Sequence, residues 1–296
     1  MVFAAGLGTR LRPLTDERPK PGVPVRNRAL GSYSIAHLAA HGVTRIALNT
    51  HHLGEKLPAI LERETPASAT LSFIHEPELL GTGGGLRNAW PHLRVADEDL
   101  VLVMNGDVIA EPDLVGAIEL HRKLNAVATM VLRADPNAKG YGAIETDKTG
   151  RVKRLLGKPA EAVGPFDEWM FTGVHVLSAR AYRDLPETGC IIRNSYRKWI
   201  DSGEVVGGFV DTSAWRDLGT LREYLDGNVA GLRENVIAES ASVHPSAVLK
   251  QSVVGNYAHV GEGVTLERVV VWDGARVDAS LSDAVVTPTQ VVRVPA

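Results

Sequence analysis

The chain has 296 residues, of which 44% are hydrophobic and 23% charged, with a formal net charge of −3. This balance suits one large globular domain, or one domain with an appendage, and argues against a nucleic-acid-coating polycation. Any anion must be held by a local cluster of positive groups. A single cysteine, Cys190, excludes an intrachain disulfide framework and points to a reducing cytoplasm. No apolar run reaches the roughly 18–20 residues that span a bilayer, and no basic segment ahead of an apolar stretch marks a leader.

In chain order, Val2–Ala5 reads as a strand and runs into AAGLGTRLRPLT, Ala4 to Thr15. Ser34–His41 has apolar residues at helical spacing and stops at Gly42, a good residue to follow a helix. RIALN and LSFIH read as strands with a helix over Gly54–Arg63 between them. LVLVMNGD, continuous in Leu and Val, is the clearest buried strand, and a helix over Pro112–Leu124 and the strand AVATMVL follow it. The βαβα alternation predicts a Rossmann-like α/β domain with a mostly parallel sheet.

Past Val236 the helical periodicity stops. Ile237, Val243 and Leu249 lie six apart, Val254, Val260 and Leu266 repeat the set 17 residues on, and Val271 and Val277 begin a third. One aliphatic per six residues is the signature of a left-handed parallel β-helix with one aliphatic on each side of a triangular coil. The expected division is residues 1–234 for the α/β domain and 235–296 for a short β-helix.

The opening loop is neither a Walker A loop, since no Gly-Lys-Ser/Thr follows, nor a dinucleotide fingerprint, since Leu11 stands where a third glycine is required. Alone, Gly6 and Gly8 are weak evidence and read first as a structural turn. Arg10, Arg12 and Lys20 lie close behind, and three cations around a Gly-rich turn that can present several N–H groups suit a triphosphate. Asp107 ends LVLVMNGD at the carboxyl end of its strand, where open α/β sheets place their sites, but alone it reads equally as a loop carboxylate. Asp217, in WRDLGT, competes with Thr220 to cap the following helix.

AAGLGTRLRPLT followed by RPKPGVPV resembles the signature of the sugar-1-phosphate nucleotidylyltransferases, the NDP-sugar pyrophosphorylases. EPELLGTGGGL (Glu76–Leu86), NGD, GYG, FTG and WRDLGT follow in the family's order, and the similarity is greatest to bacterial mannose-1-phosphate guanylyltransferase-like members. The resemblance implies an enzyme that joins an NTP and a sugar 1-phosphate with release of pyrophosphate. It implies Mg²⁺ as cofactor, with Asp107 and Asp217 as its ligands. It assigns Arg10 and Lys20 to the triphosphate, and Ala5, Gly6, Gly8, Thr9, Glu76, Gly81 and Thr82 to the nucleotide. Gly142, Lys158, Thr172 and Gly173 fall to the sugar phosphate. The nucleophile is a phosphate monoester, mostly dianionic near neutral pH, so no general base is needed and catalysis is positioning plus charge neutralisation.

Departures from the family pattern carry expectations of their own. LLGKP has Gly157 where the family commonly has a Glu that holds sugar hydroxyls, with Asp167 or Glu168 as candidate stand-ins. Glu76 stands where members that use thymidine or uridine present a Gln. A carboxylate only accepts hydrogen bonds and matches the paired N1–H and N2 amino donors of guanine, so GTP is expected, with GDP-mannose as product. Uridylyl or thymidylyl transfer to another sugar 1-phosphate, or a non-catalytic regulatory role, remain the alternatives. The first strand is shorter than the family's, so β-prone residues added upstream are expected to raise the melting temperature. Residues from about Ile237 onward are expected to serve domain packing or homo-oligomer contacts, with no nucleic-acid or membrane partner.

Overall fold

The strand β1 (Val2–Phe3), only two residues long, is flanked on both sides by parallel neighbours. Val2 lies opposite Leu48 of β2 (Arg45–Thr50) and Met104 of β4 (Leu100–Asn105). This computed structural model describes residues 1–136 and 138–295. The chain falls into two compact units, one made of Met1–Gly6, Ser34–Gly54 and Thr65–Trp215, the other of Leu7–Tyr33, Glu55–Glu64 and Arg216–Ala296.

The first unit carries a nine-stranded sheet. The remaining strands are β3 (Thr70–His75), β5 (Ala128–Arg133), β6 (Ile144–Thr146), β7 (Val152–Leu155), β8 (Asp167–Ser178) and β9 (Val206–Val210). The sheet runs β7-β6-β8-β4-β1-β2-β3, with β5 and then β9 added on β8. All strands except β7 and β8 point the same way. Val101, Val103 and Met104 are buried, which is why β4 reads as an unbroken apolar run: a parallel central strand is covered on both faces. Leu86, Trp90, Val103, Met130, Tyr196 and Trp199 join one core, and each fully buried aliphatic contributes on the order of 1.5–3 kcal/mol.

Helix α1 (Gly81–Leu93) begins inside the glycine-rich segment, where helix propensity is low. Helix α2 (Leu114–Leu124) starts two residues later than expected because Asp113 caps it, its Oδ1 accepting from Gly116 N–H at 2.9 Å.

In the second unit the helix expected over Gly54–Arg63 narrows to Leu57–Leu61 between 3₁₀ turns. Helix α3 (Leu221–Val229) carries a complete capping box made by Thr220 and Glu223. Beyond it, short strands stack in parallel at the spacing of the hexads. Ile237 lies opposite Val254 and Val254 opposite Val271, Val243 opposite Val260 and Val260 opposite Val277, and Leu249 opposite Leu266. Val254, Val260, Leu266, Val271 and Val277 are buried in one cluster. The last step shortens from 17 residues to 15, Leu266 meeting Leu281, and the antiparallel strand Val291–Arg293 closes the stack. Among the described residues, no helix is long and apolar enough to cross a membrane.

Candidate active site

In the first unit the predicted residues gather where β1, β2, β3 and β4 end. The chain leaves β1 at Phe3, Ala4 and Ala5 are buried, and Gly6 is exposed. Gly106 N–H donates to the Phe3 carbonyl at 2.9 Å, which sets the partly exposed Asp107 beside the exit of β1. Thr172 and Gly173 fall at an irregularity in β8 where its pairing with β5 shifts register between Phe171 and His175. The Thr172 hydroxyl donates to Val131 O at 2.8 Å and its carbonyl accepts from Trp215 Nε1, so both polar groups already serve the fold.

Glu76 is fully buried, so it is not a solvated loop residue. Its Oε1 accepts from Asn49 Nδ2 at 2.8 Å and its Oε2 from Leu80 N–H at 3.0 Å. The Thr82 hydroxyl accepts from Ile191 N–H at 3.0 Å, and Gly83 N–H donates to Gly189 O. The start of α1 is therefore tied to the segment around Gly189. The sequence offered no sign of Asn49; its signal is only that a polar residue interrupts a strand whose other interior positions are apolar.

Lys158 sits in a tight turn, with hydrogen bonds in both directions between its backbone and Leu155. With Leu155, Leu156, Ile192, Arg193 and Arg197 it lines a cleft of about 480 Å³. Gly142, with φ of 93°, packs against Leu156. In place of the family's Glu before the Lys, the turn is braced by Arg154, which donates to Gly157 O at 3.1 Å and pairs with the buried Glu145 at 3.0 Å. Of the two candidate stand-ins, Asp167 pairs with Lys148 at 3.1 Å.

The second unit holds the rest of the opening loop. Gly8 is left-handed, Thr9–Leu11 forms a 3₁₀ turn, and Thr9 and Arg10 are exposed. Lys20, by contrast, is 6% exposed. Asp217 joins the two cations: its Oδ2 lies 3.6 Å from Arg10 Nη2 and its Oδ1 3.6 Å from Lys20 Nζ. A Cβ at Gly219 would come within 2.6–2.7 Å of the Arg10 guanidinium, so the glycine of WRDLGT is what lets Arg10 lie there. Arg12 pairs with Asp16 at the surface. Thr220, and not Asp217, caps α3, which leaves the Asp217 carboxylate to the cations.

Among the described residues, no group of three or more His, Cys, Asp or Glu side chains could hold a metal. Asp107 in the first unit and Asp217 in the second each offer hard oxygen donors, the kind that a Mg²⁺-like ion takes alongside phosphate oxygens and water.

The first unit thus sets an Asp at the carboxyl end of the strand beside β1, and the second holds a carboxylate shared by an Arg and a buried Lys. The nucleotidyl transferase family model matches residues 1–234, and the chain belongs to that family. It is 30% identical to the mannose-1-phosphate guanylyltransferase of Mycobacterium tuberculosis, over 94% of this chain and 81% of that protein. It is 25% identical to the UTP–glucose-1-phosphate uridylyltransferase of Synechocystis, over 88% of this chain and 71% of that one. The crystal structure of HddC from Yersinia pseudotuberculosis matches 76% of this chain and 96% of its own with a TM-score of 0.60 at 25% identity.

Proposed function

We propose that the protein transfers a guanylyl group from GTP to mannose 1-phosphate, forming GDP-mannose and pyrophosphate. The observation that carries the phosphate chemistry is the Arg10–Asp217–Lys20 cluster behind the Gly-rich loop. The guanylyl and mannose assignments are supported by similarity to mannose-1-phosphate guanylyltransferases over nearly the whole chain. A phosphate oxygen of the sugar attacks the α-phosphorus, a new P–O bond forms, and the bond to the β-phosphate oxygen breaks with pyrophosphate leaving.

The backbone of Ala5, Gly6, Gly8 and Thr9 cradles the triphosphate, and Arg10 and Lys20 neutralise it. Gly81 and Thr82 border the nucleoside, with Glu76 beneath them. Lys158 holds the sugar phosphate, and Gly142, Thr172 and Gly173 let the sugar approach the backbone. Asp107 and Asp217 would hold Mg²⁺, which when bound withdraws charge from the phosphate oxygens. Residues 235–296 form a short left-handed parallel β-helix that packs against the rest of its own unit or against another copy of the chain, and the protein works in the cytoplasm.

Pyrophosphate release, measured for GTP, UTP, dTTP, ATP and CTP against mannose and glucose 1-phosphates, tests this reading. GTP with mannose 1-phosphate is expected to turn over fastest. The uridylyltransferase relative favours the second reading, UTP with glucose 1-phosphate, and a tenfold preference for that pair would replace the first. No release from any pair would leave a regulatory role.

A further inference from the structure

Asn49 and Glu76 form a buried polar pair, 4% and 0% exposed, at the ends of β2 and β3. Three hydrogen bonds run through it. Ala4 N–H donates to Asn49 Oδ1 at 3.0 Å, Asn49 Nδ2–H donates to Glu76 Oε1 at 2.8 Å, and Leu80 N–H donates to Glu76 Oε2 at 3.0 Å. The chain thus links the main chain at the start of the opening loop to the main chain at the start of α1. Gly85 closes it from above: a Cβ there would meet Glu76 Oε1 at 2.6 Å and Asn49 Nδ2 at 2.7 Å.

We propose that Asn49 and Glu76 are a positioning pair that fixes these two backbone segments for the nucleotide, and that Glu76 does not present its carboxylate to the base. This rests on the reading of both segments as nucleotide-contacting. Donor and acceptor chemistry supports it. The Ala4 N–H needs an oxygen at Asn49, so the Asn49 amide turns its NH₂ to residue 76. Residue 76 must then accept on both sides, because Leu80 N–H faces its other oxygen. Only an acceptor-only carboxylate does that. Glu76→Gln sets one N–H against another whichever way the amide turns, and Asn49→Asp sets oxygen against oxygen. Two buried donors, or two buried carboxylate oxygens, set against each other are costly, enough for about tenfold or more in binding.

The two faults cancel when combined. In the double variant N49D/E76Q, Ala4 N–H still finds an oxygen at residue 49, the new amide donates to the new carboxylate, and Leu80 N–H still finds an oxygen at residue 76. Size and net charge are unchanged. Direct base reading has no such cancellation, because the group at residue 76 is an amide in the double variant as in E76Q.

The experiment compares the parent, E76Q, N49D and N49D/E76Q by thermal melting and by steady-state kinetics at saturating Mg²⁺ with GTP, UTP and dTTP. Each single variant is expected to raise the nucleotide KM about tenfold or more, with kcat and the sugar-phosphate KM within about threefold. The double variant is expected to recover the parent's melting temperature, its nucleotide KM and its order of preference. If the single variants fail to fold and the double variant folds and behaves as the parent, the pairing is equally supported. A double variant as impaired as E76Q, or unfolded, overturns the positioning pair. So does one that moves about tenfold toward UTP or dTTP, which would make Glu76 the base reader. A parent that releases no pyrophosphate overturns the proposed function instead, and the melting comparison still decides whether the pair is complementary in this way.

Discussion

His175 and His121 are buried in the first unit, and both rings hydrogen-bond to neighbouring hydroxyls. His175 Nδ1 lies 2.7 Å from Tyr196 Oη, and His121 lies between Thr129 and Ser178 at 3.0 and 2.9 Å. Burial pushes His175 down to about 3; burial, with Arg180 and Arg122 nearby, pushes His121 down to about 4. Both values lie below the ordinary 6.5, so the unfolded chain binds protons that the folded one refuses. Their stabilising effect is complete above that ordinary value and declines as pH falls toward 4 and 3. The loss is on the order of 3 kcal/mol per histidine by pH 4. Urea midpoints are expected to fall with these histidines below about pH 6. His175→Gln, which keeps a neutral hydrogen-bonding side chain, should flatten that slope; an unchanged slope would mean the histidine is not held neutral. Asp107→Asn, nearly isosteric, is expected to leave melting unaltered and to cut turnover by about 10²–10³, the usual loss for a key electrostatic group. Turnover within about threefold of the parent would remove Asp107 from the metal. That Asp107 falls just past the end of its strand was legible because the strand is unambiguous. The burial of Glu76 was not: it precedes Pro77 among exposed residues, and its partner Asn49 comes from a different strand.

At the level of elements, the strands were read well and the glycine-rich helix was not. Gly81, Gly83, Gly84 and Gly85 fall in the first turns of α1, where each costs about 1 kcal/mol against Ala, so local propensity argues against a helix. Tertiary contacts override it, because the backbone there lies too close to its neighbours for side chains. Gly85→Ala shows the conflict. At an unencumbered helical position the change would stabilise by roughly 1 kcal/mol, but here the methyl drives into Asn49 and Glu76. A lower melting temperature is expected, by an amount equivalent to about 1–3 kcal/mol; a rise would show that the helix shifts freely. Helix α3 makes the converse case. The capping box that Thr220 forms with Glu223 is visible in the sequence as Thr-x-x-Glu, and it decides the competition with Asp217. Thr220→Ala should cost about 1 kcal/mol in urea unfolding. A change in turnover is expected with it, since the Asp217 carboxylate lies three residues before the cap.

The second unit is a whole only because distant parts of the chain meet in it. The C-terminal stack is held to the segment just after the opening loop. Glu17 Oε1 accepts from Thr287 at 2.6 Å, Thr289 at 2.5 Å and Gln290 at 2.8 Å. Arg18 pairs with Asp273 at 3.5 Å and lies over the Trp272 ring. Trp272 Nε1 donates to Tyr224 Oη, which donates to Pro24 O, and Asn27 Nδ2 donates to Val254 O. The hexads foretold the stack, but not these contacts, most of which join residues two hundred or more positions apart. Removing residues 235–296 would leave Glu17, Arg18 and Asn27 without these bonds, in the same stretch that carries Arg10 and Lys20, and would take Trp272 from Tyr224. A chain ending at Glu234 is therefore expected to melt lower and to lose nucleotide affinity more than kcat. Melting and KM equal to the parent's would mean the stack is a separable appendage. Glu17→Gln in the full chain isolates one contact. Burial alone would raise the Glu17 carboxyl, but the bonds from Thr287, Thr289 and Gln290 and the charge of Arg18 outweigh it and hold it below its ordinary value. A depressed carboxylate stabilises the fold above its ordinary pKa of about 4.5, and that contribution is lost as pH falls through the lowered value. The Gln variant should melt lower than the parent at pH 7, and the gap should close as pH falls below about 4. A gap that persists unchanged at pH 3 would mean the loss comes from packing and not from the charge that Thr287, Thr289 and Gln290 surround.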